Sequence, residues 1–322
     1  MSIFGIGQAV GLEVGKKTIR AAGVKKSRGG MPEAQWLSEL ALPKGLVLNS
    51  FTEPNITDVP EFAGYLRKLL GLSGHGGGRL NVALPDYVSR VYVLDYDMLQ
   101  AKKDETEQMI KWRLKKLLPI DIDQAALRYQ YLGKFRTGDK DQHRFLVSII
   151  KADILAQYEQ AFKEAGVKAD RIEISTFALW NLFEGYITRS AGGPSSFALM
   201  NISGGRLTVI VFDCGVPHFL RLKDLGGFEP QSEEVDPIRV LRELTASLTY
   251  YKENFAETEV RTVFITGDAA GLGVIAAGIE GNSELKAEVL NFEKAISRGG
   301  GISIDADALH AFGAACGAAS GA

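Results

Sequence analysis

The stretch GLEVGKKTIRAAGV, Gly11 to Val24, joins two short apolar strands through a glycine turn that carries adjacent lysines. Such a turn can wrap a phosphate, because the backbone approaches closely at Gly15 while Lys16 and Lys17 offer positive charge. The same residues also suit a plain solvated hairpin. A second strand–turn–strand lies in FALMNISGGRLTVIVFDCGVPHFLRL, with Ser203, Gly204 and Gly205 at its first turn. A strand, a glycine turn and a helix follow in VRTVFITGDAAGLGVIAAGI, where Gly267 and Asp268 begin the turn.

No other cluster carries comparable chemistry. His75, His143, His218 and His310 are far apart and have no metal-ligand spacing, so neither a metal site nor a catalytic residue is assigned. Cys214 and Cys316 form no CxxC pair, which argues for a reducing cytoplasm. GHGGGR reads as a flexible linker and SRGGGIS as a surface loop. A net charge of −2 argues against a dedicated nucleic-acid binder. No apolar run is long enough to span a bilayer, and the first residues lack a signal-peptide pattern. The small, uncharged AFGAACGAASGA makes a poor amphipathic anchor, so no direct membrane insertion is expected.

At 322 residues, with 46% hydrophobic and 24% charged, the chain suits a globular α/β protein of two lobes. The two strand–turn–strand segments begin each half and suggest a duplicated architecture. The expected division is 1–86 with 176–194 as one lobe, 195–322 as the other, and 87–175 as an inserted βαββαβ module. Within that module a helix over Lys102–Leu118 is stopped by Pro119. Its spacing places Ile110, Leu114, Leu117 and Leu118 on a core face. Met109 and Trp112 project roughly opposite, among Lys111, Arg113, Lys115 and Lys116. That composition suits a peptide-docking surface, and equally a Trp112 packed under a neighbouring lobe. DADALHAFGAACGAA is expected as one final small-residue helix, suited to close packing.

The order and spacing of the three turns resemble the actin-like ATPase superfamily. NVALPD, EQMIKWRLKKLLPIDIDQAALRYQYLG, VSIIKADILAQYEQAFKEAGVKADRIEISTFALWNLF and LRELTASLTYYKEN before FITGDAAGL are similar to the PilM family of type IV pilus assembly proteins. The resemblance spans nearly the whole chain. It implies an actin-like, ribonuclease H-like fold and a scaffold in pilus assembly and twitching motility. It also implies a cytoplasmic location, peripheral to the inner membrane through the N-terminal cytoplasmic tail of a bitopic PilN-like protein. Self-association is left open.

By the same resemblance the nucleotide residues are Gly11, Glu13, Gly15, Lys16, Lys17, Thr18, Ser203, Gly204, Gly205, Gly267 and Asp268. Several depart from the family pattern. Glu13 stands for an aspartate, Lys16 and Lys17 for hydroxyl residues, Arg20 for a lysine, Asn201 for an aspartate and Asp268 for a glycine. Asn201 keeps the shape without the charge, so Mg²⁺ is expected to bind weakly or not at all. The two lysines would either neutralise phosphate or fill its space. ATP binding is left open and efficient hydrolysis is not expected. Two alternatives stand beside the scaffold: an active phosphotransferase of the same superfamily, and the actin-like part of a type II secretion platform, in which a membrane helix usually follows.

Overall fold

The computed structural model describes residues 8–25, 31–75, 77–100, 102–137, 140–192, 195–226, 235–255, 259–302, 304 and 306–321. Parts of the expected linker at 73–79, the hinge at 189–196 and the hairpin turn at 134–142 therefore lie outside the described residues. The chain opens with a hairpin of β1 (Gln8–Val14) and β2 (Thr18–Lys25), whose inward residues Leu12, Val14 and Ile19 are fully buried. β3 (Glu33–Ala41) extends it, and α1 (Val59–Leu72) begins where Asp58 accepts a hydrogen bond from the Glu61 N–H at 2.8 Å. β4 (Gly78–Leu84) then lies parallel to β1.

Next come β5 (Arg90–Tyr96), α2 (Lys103–Leu117), β6 (Ala125–Thr137), β7 (Lys140–Lys151), α3 (Ala152–Glu164) and β8 (Val167–Ile174). The order is βαββαβ, but the sheets divide it. β5, β7 and β6 form an antiparallel three-stranded sheet under α2. β8 instead pairs with β4, and α3 sends Ile154, Tyr158, Ala161 and Phe162 into the core of the first sheet. The separate layer is thus shorter than 87–175. Strand-to-strand hydrogen bonding, rather than element order, decides which layer α3 and β8 join.

α4 (Ser175–Ser190) leads into β9 (Ser196–Ser203), β10 (Arg206–Asp213), β11 (Val216–Asp224), α5 (Pro237–Phe255), β12 (Thr262–Gly267), α6 (Leu272–Asn282), β13 (Lys286–Val289), β14 (Ser297–Arg298), α7 (Ala306–His310) and α8 (Gly313–Ser320). The first sheet runs β14-β3-β2-β1-β4-β8 and the second β11-β10-β9-β12-β13. Apart from the two-residue β14, both repeat one plan: an antiparallel meander whose first strand pairs in parallel with a later strand, which in turn pairs in parallel with another. That is the expected duplication.

α4 and α8 share one core with residues of both sheets. Trp180 of α4 stacks on Phe212 of the second sheet, with ring centroids 4.1 Å apart. α8 is buried on all sides and made of small residues. Its backbone approaches its neighbours where no side chain fits. A Cβ on Gly317 would lie 1.9 Å from the Ala178 carbonyl oxygen, and one on Gly11 1.9 Å from that of Ala315. The expected single terminal helix is two, α7 and α8, with the buried Phe312 in the break between them.

On α2 the buried row is Thr106, Ile110, Leu114 and then Leu118. Leu117, expected in the core, is 49% exposed. A helical wheel gives its direction, but it is the last helical residue and no neighbour covers it. Met109, expected outside, is half-buried and packs against the small sheet's core. Trp112 is 63% exposed, and the Lys116 Nζ lies 3.4 Å from its ring centroid.

Close packing of α8 gives the first prediction. Gly317→Ala forces backbone apart and should lower unfolding free energy by about 3 kcal/mol in urea titration. Gly281→Ala, on α6 with open space around it, should raise it by about 0.5 kcal/mol.

Candidate functional site

The turns between strands converge on a cleft of about 660 Å³ between the two large sheets. The β1–β2 turn supplies Glu13, Gly15, Lys16, Lys17 and Thr18. Its tightness comes from the Gly15 N–H, which donates to the Thr18 carbonyl at 2.8 Å. The β9–β10 turn supplies Ser203, Gly204 and Gly205, with both glycines left-handed (φ +57° and +72°), as a two-residue hairpin turn needs. The turn after β12 supplies Asp268.

Nine of the eleven expected nucleotide residues therefore line one cleft. Gly11 and Gly267 do not. Gly11 admits the backbone of α8, as above. Gly267, at φ +133°, brings β12 against β9, where a Cβ would sit 2.0 Å from the Ile202 carbonyl oxygen. Both glycines set the distance between elements behind the cleft wall. Met109 and Trp112 lie elsewhere, on α2.

The first wall carries an ionic row across three strands. Glu13, Arg20 and Glu39 are register partners on β1, β2 and β3. The Arg20 Nε donates to Glu39 at 2.5 Å, while its Nη1 lies 3.6 Å from Glu13 and 3.9 Å from Asp268 on the opposite lobe. At 3.6 Å the Glu13 Oε2 receives no hydrogen bond. Burial therefore dominates, and it pushes the Glu13 carboxyl from 4.5 up to about 7 against the pull of Arg20.

A second polar group was not legible as a site. Asp86, just past β4, accepts from the Thr176 N–H at 2.9 Å and from the Thr208 hydroxyl at 2.5 Å. The Thr176 hydroxyl also donates to it, and the Asn201 Nδ2 lies 3.4 Å away. The same Nδ2 donates to the Thr176 hydroxyl at 2.8 Å. These residues come from the first sheet, the start of α4 and the second sheet, so Asp86 ties the lobes at the cleft floor. Burial still pushes its carboxyl upward, against all four donors. The available signals were small: a Pro-Asp at the end of a buried strand, and a lone Thr208 within the apolar LTVIVF.

Glu13 Oε2, Asn49 Oδ1 and Asn201 Oδ1 are buried acceptors around this cleft that receive no hydrogen bond from the protein. Lys16 is half-buried, Lys17 is exposed, and both line the rim. The arrangement can hold an anionic group at the rim while presenting acceptors to hydroxyl or water donors beneath it.

A family model described as type IV pilus assembly protein PilM matches residues 11–238. Among solved structures, a PilM-PilN type IV pilus biogenesis complex aligns over 97% of both chains, with 16% identity and a TM-score of 0.79. A Bacteroides thetaiotaomicron protein of actin-like ATPase fold and unknown function aligns over 94% of both, with 9% identity and a TM-score of 0.52. The cytoplasmic domain of EpsL, an inner-membrane component of the Vibrio cholerae type II secretion system, aligns over 88% of this chain and 90% of its own, with 10% identity and a TM-score of 0.50. At these identities the likeness establishes an actin-like fold. No curated protein sequence matches the chain.

The Glu13 carboxyl gives a pH prediction. Because its folded pKa of about 7 lies above 4.5, the native state binds more protons than the unfolded one between those values. Its contribution to stability is complete below pH 4.5 and falls as pH rises to about 7. Glu13→Gln should remove that fall, worth about 3 kcal/mol at most. Urea unfolding of both proteins at pH 5 and pH 8 measures it, and Asp86, common to both, cancels in the comparison.

Proposed function

The chain belongs to the family of type IV pilus assembly protein PilM, and on that premise we propose that it is an actin-like scaffold of the pilus inner-membrane assembly complex. It works on the cytoplasmic side and receives the N-terminal tail of a PilN-like bitopic membrane protein on the layer of β5, α2, β6 and β7. Its cleft binds ATP without efficient turnover.

Exposed Trp112 carries the docking part of this reading. The ring stands free of the layer's core, and Met98, Leu99 and Leu117 in the same layer are also exposed. Among the described residues no helix is long and apolar enough to cross a membrane. Attachment through another protein's tail fits that feature. A short extended tail buries little area, so a few aromatic anchors must supply most of the affinity.

The actin-like fold implies ATP with Mg²⁺. The nucleotide's phosphates fit the cleft, where two backbone turns face each other and Lys16 and Lys17 supply charge. A directly ligated divalent cation does not fit. Asn201 and Asn49 are neutral, the Glu13 carboxyl is half-protonated near pH 7 and flanked by Arg20, and Asp86 already accepts from three residues. Such cations favour free carboxylates.

Trp112→Ala should weaken a synthetic tail peptide by about thirtyfold, or about 2 kcal/mol, with the melting temperature nearly unchanged. Normal peptide binding by the variant would place the groove elsewhere, and no peptide binding by the wild type would defeat the scaffold reading. Chelating Mg²⁺ with EDTA should change ATP affinity by less than about tenfold in calorimetry.

A further inference from the structure

We propose that Asp268 is a built-in stand-in for a ligand phosphate: its carboxylate holds the anion position of the β9–β10 turn, and a phosphate-bearing ligand must displace it to enter the cleft. The proposal rests on the reading of the cleft as a nucleotide site.

Asp268 Oδ1 accepts from the Gly204 N–H at 3.2 Å, and Oδ2 lies 3.9 Å from Arg20 Nη1. One carboxylate thus spans a backbone donor of the second lobe and the guanidinium of the first. Those are the two kinds of partner that a bridging phosphate takes. Its placement is enforced from behind. Gly267 lets β12 press against Ile202, and the Ala269 N–H donates to the Ile202 carbonyl at 3.2 Å. The side chain is therefore carried onto the Gly204 turn by a fixed stretch of backbone.

The electrostatics agree. Arg20 is already shared by three carboxyl groups, Glu13, Glu39 and Asp268. An entering phosphate adds negative charge to that group unless Asp268 leaves it. Asp268 can leave, because its side chain is 32% exposed and lines the open cleft. Once it swings out, the Gly204 N–H and one edge of Arg20 become available together.

The test combines ATP binding in EDTA, by calorimetry, with hydrogen exchange of the peptide spanning 203–205. Asp268→Ala should tighten ATP by about tenfold or more and speed exchange at the turn at least about threefold. Asp268→Asn, which keeps an acceptor for Gly204 but loses the charge, should tighten ATP while leaving exchange closer to wild type. ATP affinity equal to or weaker than wild type in both variants overturns the proposal, provided that the wild type binds. If neither the wild type nor Asp268→Ala binds ATP, the nucleotide reading of the cleft falls and exchange alone judges where Asp268 sits. Faster exchange in Asp268→Ala then supports its place on the turn, and unchanged exchange overturns it.

Discussion

Backbone packed directly on backbone at α8 is the constraint on which the rest of the molecule depends. Gly317 against Ala178, and Gly11 against Ala315, hold a helix of small residues between α4 and the first sheet. Larger side chains there would push α4 away from β1. Because the sheets repeat one strand order on either side of this core, their turns emerge at the same end and face each other. The cleft follows from that geometry, whatever ligand it holds.

Across the cleft, the chain joins its lobes by two polar connections of different character. The Asp86 group is hydrogen-bonded by Thr176, Thr208 and Asn201 and forms a neutral-donor tie at the floor. The Arg20 group is ionic, longer and partly exposed, and it lies at the mouth. A buried tie with short bonds resists opening, whereas a pair 3.9 Å apart whose carboxylate faces the open cleft makes no hydrogen bond and is held more weakly.

The small three-stranded layer stands apart from this machinery. It has its own core around Ile110, Leu114 and Phe145, and Arg144 is buried against Asp95 by a paired contact of two 2.7 Å hydrogen bonds. It touches the second lobe where Phe135 meets His218 edge-on. Burial and the nearby Arg144 push the His218 ring down to about 4, so that contact stays uncharged at neutral pH. A layer with its own core and exposed apolar residues can present a docking face without disturbing the cleft, which suits a scaffold.

The amino-acid sequence by itself determined the local forms. Apolar alternation marked the strands, glycine turns divided them, the small residues of the last helix announced close packing, and the position of Trp112 opposite Ile110 pointed it outward. It also carried the likeness to the pilus family, through motifs spread along most of the chain. Only the tertiary structure decided what each face meets. Gly11 and Gly267 proved to be packing positions, Leu117 found no cover, Met109 found some, and α3 with β8 joined the first sheet. Asp86 meets Thr208, 122 residues away, and Asp268 meets Gly204, 64 residues away. Periodicity is a property of neighbours along the chain and gives a side chain's direction. Its contacts depend on which distant strand the closed sheet brings opposite, and no local pattern encodes that.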